Sequence, residues 1–134
     1  AACDSEKRVT TMLVHDANLG REALARGCVD LVLGGHLHVR GEPTLVEGSN
    51  GEIGYTYTTG TTGGAAYAIA VGSKPRRNAD VSLVTYRDGR PAGIQWVTLQ
   101  PNGQFQVGDY VPLVYADEDG ADEVGTRGRR SLEP

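Results

Sequence analysis

Apolar residues bunch into short runs in the first third of the chain and alternate with polar ones afterwards, and the two patterns predict different structure. Residues 8–15 (RVTTMLVH) form a strand pattern that turns fully apolar toward its end. Cys28-Val29-Asp30 leads into a second apolar run over 31–34, closed by Gly34-Gly35 and read as a buried strand. Between the two runs, Leu19, Ala23 and Leu24 recur at helical spacing, with Asn18 as the expected N-cap and Gly27 as the stop. Strand, helix and strand at this length make a β-α-β unit, whose crossover is right-handed and whose strands are parallel.

After residue 38 the pattern becomes that of an all-β chain. A short strand is expected over 43–48, then a Ser49-Asn50-Gly51 turn, where Asn-Gly is a hairpin signal. Strands follow over 53–59 and 65–71, separated by a glycine-rich loop over 60–64. A basic loop covers 74–78. Strands at 81–86 and 92–99 pair around Arg87-Asp88-Gly89. After Pro101-Asn102-Gly103 come 104–107 and a short strand over 111–115. The predicted fold class is α/β, one β-α-β unit followed by a mostly antiparallel sheet. At 134 residues the chain is one domain by size, assigned to 1–115. Residues 116–134 are acidic, then Gly- and Arg-rich, with no apolar period, and are expected to be disordered.

The formal charge of −4 argues against a nucleic-acid partner, which needs a basic face. No apolar run approaches the roughly 18–20 residues that span a bilayer, and no charged-then-apolar signal peptide opens the chain. A cytoplasmic location is expected over a secreted one, with an upstream targeting or membrane segment left open. The two cysteines, Cys3 and Cys28, specify no framework and are expected to be free thiols. Cys28 sits at the wrong end of its strand to join the histidines.

The chemistry concentrates in three histidines, His15, His36 and His38, the only ones in the chain. Each follows an apolar strand. Parallel strands end on one rim of a sheet, where α/β folds bind ligands. If the backbone stays extended, His36 and His38 face the same side. Neutral imidazole is the commonest metal ligand, so His15, His36 and His38 are the expected metal ligands. Asp16 is either an acceptor that orients an imidazole or a helix-start carboxylate favoured by the dipole. Arg40 either meets a substrate phosphate or is solvated. Gly63 and Gly64 either let backbone N–H groups approach a metal or phosphate or make a plain turn. Trp96 and Tyr86 read as hairpin packing.

Val14-His15-Asp16, followed by Asp30-Leu31-Val32-Leu33-Gly34-Gly35-His36-Leu37-His38, resembles the end of a calcineurin-like metallophosphoesterase domain. Gly35-His36-Leu37-His38 matches that family's G-H-x-H motif, His15 matches the single histidine before it, and 59–64 resembles its glycine-rich turn. The likeness covers about 9–71, and the later hairpins fit the family's C-terminal strands. It implies half of a four-layer αββα sandwich and two divalent ions, Mn, Fe, Zn or Ni. The residues matching His15 and His36 would bind one ion and the residue matching His38 the other.

The family's D-x-H, G-D-x-x-D and G-N-H-D/E segments do not occur in this sequence. The resemblance therefore implies a C-terminal half, completed by a missing N-terminal half that supplies the remaining ligands. The implied reaction is two-metal hydrolysis of a phosphoester substrate, with the isolated chain inactive. A half sandwich bares an apolar sheet face, which favours a homo-oligomer. The residues alone leave two other readings, a self-contained three-histidine metal-binding module and a non-catalytic β-rich interaction domain.

Overall fold

The computed structural model describes residues 2–4, 6–37, 39–62 and 78–115. A 3-10 turn at Ala2–Asp4 precedes strand β1 (Val9–Leu13). A second 3-10 turn, Ala17–Gly20, runs into the one short helix, α1 (Arg21–Ala25), and then β2 (Val29–Gly34). The remaining strands are β3 (Thr44–Glu47), β4 (Ile53–Thr58), β5 (Ala79–Arg87), β6 (Arg90–Leu99), β7 (Phe105–Val107) and β8 (Val111–Pro112). The fold is mixed α/β, mostly strand, in two sheets. The first has the order β1-β2-β4-β3, and the second is β5-β6-β7 with β8 also on β6.

The β-α-β unit forms as its pattern predicts, with β1 parallel to β2 in the register Val9↔Val29 to Leu13↔Leu33. The chain after it departs from the antiparallel expectation at one point. β4 lies parallel to β2, pairing Leu31 with Tyr55 and Leu33 with Tyr57, and β3 is antiparallel outside it. The reason is burial. β4 carries Tyr55 and Tyr57, both buried, whereas β3 has only Val46 partly covered. The apolar strand takes the inner position and the polar one the edge. The second sheet is antiparallel throughout. The expected strand over 65–71 and the tail over 116–134 lie outside the described residues.

The helical segment differs from its prediction in two details. Asp16, rather than Asn18, is the N-cap, its carboxylate accepting the Asn18 N–H at 2.9 Å. Leu19 is 71% exposed instead of sharing the buried face with Leu24. The first turn is 3-10, with about three residues per turn, and this rotates Leu19 off the face that α1 continues. Gly20 takes the contact with the sheet, and a Cβ there would stand 2.6 Å from Val32 Cγ1.

The described residues stack as helix, sheet, sheet. Leu24, Val29 and Val32 pack between helix and first sheet. Leu31, Tyr55, Tyr57, Ile94, Leu113 and Tyr115 fill the space between the sheets. The buried phenols are paired: Tyr55 donates to the Val114 carbonyl at 2.6 Å and accepts the Val114 N–H at 3.0 Å, and Tyr115 donates to the Pro91 carbonyl at 2.7 Å. Asp30, 1% exposed, is the one buried carboxylate among the described residues. It accepts from Arg8 Nε and, at 3.2 Å, from Arg90 Nη2. Arg8 also donates to the carbonyls of Gly27, Val29 and Ile53, and the Arg90 guanidinium lies 3.7 Å from the centre of the Tyr115 ring.

The expectation of two free thiols is overturned, because Cys3 and Cys28 form a disulfide. The 3-10 turn at Ala2–Asp4 delivers Cys3 to the loop between α1 and β2, with a Cα separation of 5.0 Å. Among the described residues no helix is long and apolar enough to cross a membrane.

Removing the Asp30 carboxylate takes from Arg8 and Arg90 the anion they share at the seam between the sheets. Asp30→Ala is expected to cost about 3–5 kcal/mol, read as a lowered urea midpoint. Burial raises the phenol pKa of Tyr55 and Tyr57 above the ordinary 10.0. Above about pH 10 the unfolded chain therefore releases these protons first, binds fewer protons than the folded one, and stability falls. The urea midpoint should hold below pH 10 and drop above it. Absorbance at 295 nm should show Tyr55 and Tyr57 titrating late.

Candidate metal centre

The register of β1 on β2 sets the site. Leu13 pairs with Leu33, and the two chains stay joined past the strand ends. The Val14 N–H donates to the Leu33 carbonyl at 3.0 Å, and the Gly35 N–H to the His15 carbonyl at 2.9 Å. His15 and His36 therefore leave the sheet at one level, on one rim. Their rings meet edge to face, with centroids 4.7 Å apart and planes at 66°. His15 Nε2 lies 2.9 Å from His36 Nδ1, and both rings are exposed.

Two backbone features bring the rings together. Gly34 is buried where the chain after β1 crosses it, and a Cβ there would stand 2.5 Å from the Ala17 backbone nitrogen. Only glycine allows this approach. His36 then takes a left-handed conformation, φ 53°, which costs a non-glycine residue about 1–2 kcal/mol. Backbone strain of this kind concentrates at functional sites.

That turn removes the premise on which His36 and His38 were expected to face one side, since the chain is not extended at His36. His38, Gly63 and Gly64 lie outside the described residues. Of the predicted ligands, the fold brings together His15 and His36. Among the described residues no cluster of three or more His, Cys, Asp or Glu side chains is placed to hold a metal.

The pair fits a shared ion on its own geometry. Metal–imidazole nitrogen bonds are about 2.0–2.1 Å, so two such ligands at right angles stand about 2.9 Å apart and at tetrahedral angles about 3.4 Å. The observed 2.9 Å is a hydrogen-bond contact and lies at the short end of that range. In the hydrogen bond one proton sits between the nitrogens, and a metal would take the place of that proton. Leu13, Leu19 and Leu37 stand exposed near the pair in the chain, and among the described residues β1 pairs with β2 alone.

Asp16 spends its carboxylate on the Asn18 N–H, the helix-start role. Arg40 is anchored rather than solvated. Its guanidinium lies 4.1 Å from the centre of the Trp96 ring, and Nη1 is 3.5 Å from Asp80 Oδ1. Asp80 accepts from Thr98 Oγ1 at 2.7 Å, and its N–H donates to the Thr61 carbonyl at 2.8 Å. A Cβ on Gly60 would stand 2.3 Å from the Asp80 carboxylate. Tyr57, Thr59 and Ser82 share hydroxyl contacts in the same seam between the sheets. Sequence reasoning missed Asp80 and Thr98, since nothing local marks a partner 40 residues from Arg40. Tyr86 is not simple hairpin packing, for its hydroxyl pairs with Thr11 Oγ1 across the sheets.

The two glycines before His36 should respond differently to an added methyl. Gly34→Ala is expected to cost about 1–3 kcal/mol as an overpacked site and to part the two rings. Gly35→Ala should be mild, because its nearest atom, the His15 carbonyl oxygen, is 3.9 Å away. Urea unfolding of the two variants, with histidine ring nitrogen shifts as the readout of the pair, checks this.

Comparison with family models, curated proteins and solved structures finds no match for this chain.

Proposed function

We propose that the chain is the C-terminal half of a calcineurin-like metallophosphoesterase domain and that His15 and His36 ligate one of its two divalent ions. The observation that carries this reading is the 2.9 Å approach of His15 Nε2 to His36 Nδ1 at the ends of parallel strands. In the family the matching residues share an ion. His38 is assigned to the second ion, and the missing N-terminal half supplies the bridging aspartate, the asparagine ligand and the histidine that assists the leaving group.

Three further features support the reading. A helix-covered sheet packs on a second sheet, as three layers of a four-layer αββα sandwich would. Among the described residues β1 pairs on one side only, with β2, and an N-terminal half would cover its other edge. Leu13, at the end of that strand, is 76% exposed, apolar surface that such a half would bury.

The chain's own contribution is to present two imidazole nitrogens at a fixed spacing. Gly34 sets that spacing, and the turn at His36 aims its ring. Asp16 holds the start of the following turn and so fixes the backbone after His15. Arg40, held by Trp96 and Asp80, is assigned to the phosphate of a phosphoester substrate. Gly63 and Gly64 are assigned to the loop around it. A bound pair of divalent ions would supply a hydroxide nucleophile and charge neutralisation at the phosphoryl oxygens. Without its other half the chain is inactive and self-associates.

Metal binding and hydrolysis test the two parts of the proposal separately. The purified chain, dialysed against Mn²⁺ or Zn²⁺, should retain metal by elemental analysis, and His15→Ala and His36→Ala should each weaken binding at least tenfold. Binding unaffected by both substitutions would overturn the assignment. The chain alone should leave bis(p-nitrophenyl) phosphate and p-nitrophenyl phosphate intact. A form extended upstream of residue 1 to include the D-x-H, G-D-x-x-D and G-N-H-D/E segments should hydrolyse one of them and lose at least a hundredfold in rate with His15→Ala. Metal binding with no hydrolysis by the extended form would instead favour the self-contained metal-binding module.

A further inference from the structure

We propose that the Cys3–Cys28 disulfide is a structural staple and that the chain folds in an oxidising compartment, where such a bond forms and persists. These are the only two cysteines in the sequence, and the fold joins them to each other. Their Cα separation of 5.0 Å lies inside the range of about 4.4–6.8 Å that a disulfide spans without moving the backbone.

The place of the bond in the fold separates it from the histidine pair. Cys28 immediately precedes β2 and Cys3 lies before β1, so the bond stands at the strand starts and the two imidazoles at the strand ends. It takes no part in the metal chemistry proposed above and does not rest on that reading. Both cysteines are only partly exposed, and Cys28 packs on the apolar cluster under α1, its N–H bonded to the Ala23 carbonyl at 2.9 Å.

The bond also organises what lies beside it. Arg8 donates to the carbonyls of Gly27 and Val29, on either side of Cys28, and to the Asp30 carboxylate. Arg8 and Asp30 lie close to the two ends that the bond joins. Closing a separation of 25 residues confines the unfolded chain.

Formation is a two-electron exchange. The thiols of Cys3 and Cys28 give up two electrons and two protons to the disulfide of an oxidising carrier protein, which leaves as a dithiol. Cytosolic thiol pools hold such pairs reduced, whereas the periplasm, the secretory lumen and the cell exterior do not. The sequence alone leaned toward the cytoplasm, and the cysteine pairing points the other way.

The test is a thiol count on the chain recovered from an oxidising compartment without reductant, with thermal melting alongside. Alkylation and mass measurement should find no modified cysteine before reduction and two after it. Reduction should lower Tm by on the order of 10 °C, and Cys3→Ser/Cys28→Ser should melt with the reduced protein. Two alkylated cysteines in the unreduced protein would overturn the proposal whether or not the double variant folds. So would a Tm that reduction leaves unchanged.

Discussion

The constraint on which the rest depends is the parallel pairing of β1 with β2. A parallel ladder fixes both the side and the height at which two chains leave a sheet. With Leu13 opposite Leu33, two residues more on one strand and three on the other bring two imidazoles to bonding distance. A slip of one residue would turn every side chain of β1 to the other face. The helix-side cluster prevents that slip, because Val9 and Met12 pack into it together with Val32.

A second constraint holds the two sheets to each other. Asp30 is buried, and two guanidinium groups converge on its carboxyl group, as a buried acidic group requires. One arrives from the segment before β1 and the other from β6. An apolar residue at 30 could pack as well, but it would tell neither Arg8 nor Arg90 where to go. The carboxylate therefore acts on alignment more than on net stability. It fixes the lower end of the two sheets, where the disulfide also lies, while the upper end carries His15 and His36.

What was legible in the sequence follows from range. The apolar runs of β1 and β2, the turn at Gly27 and the hairpin around Asp88-Gly89 are set by neighbours along the chain, and the structure bears them out to within a few residues. The break at Gly34-Gly35 was legible too, although its cause, the crossing of Ala17, was not. Leu19 was misplaced because periodicity assumes 3.6 residues per turn and the segment begins as a 3-10 turn. The place of β4 beside β2, the Cys3–Cys28 bond, the Arg40–Asp80 pair and the two partners of Asp30 all join residues far apart in sequence. No local pattern reports such distances. The histidine site is intermediate, since the convergence of His15 and His36 follows from strand topology, but the left-handed turn at His36 could not be read from its residue type.

The position of β2 carries one more consequence. It has a ladder partner on each side, β1 and β4, a helix on one face and a second sheet on the other. Among the described residues β1 and β3, at the margins, each have a ladder on one side only. Amide hydrogens should therefore exchange with solvent in a gradient across the sheet, slowest along β2. Among the described residues β2 is then the last part to open, and His36, two residues beyond its end, is anchored to the most persistent backbone described.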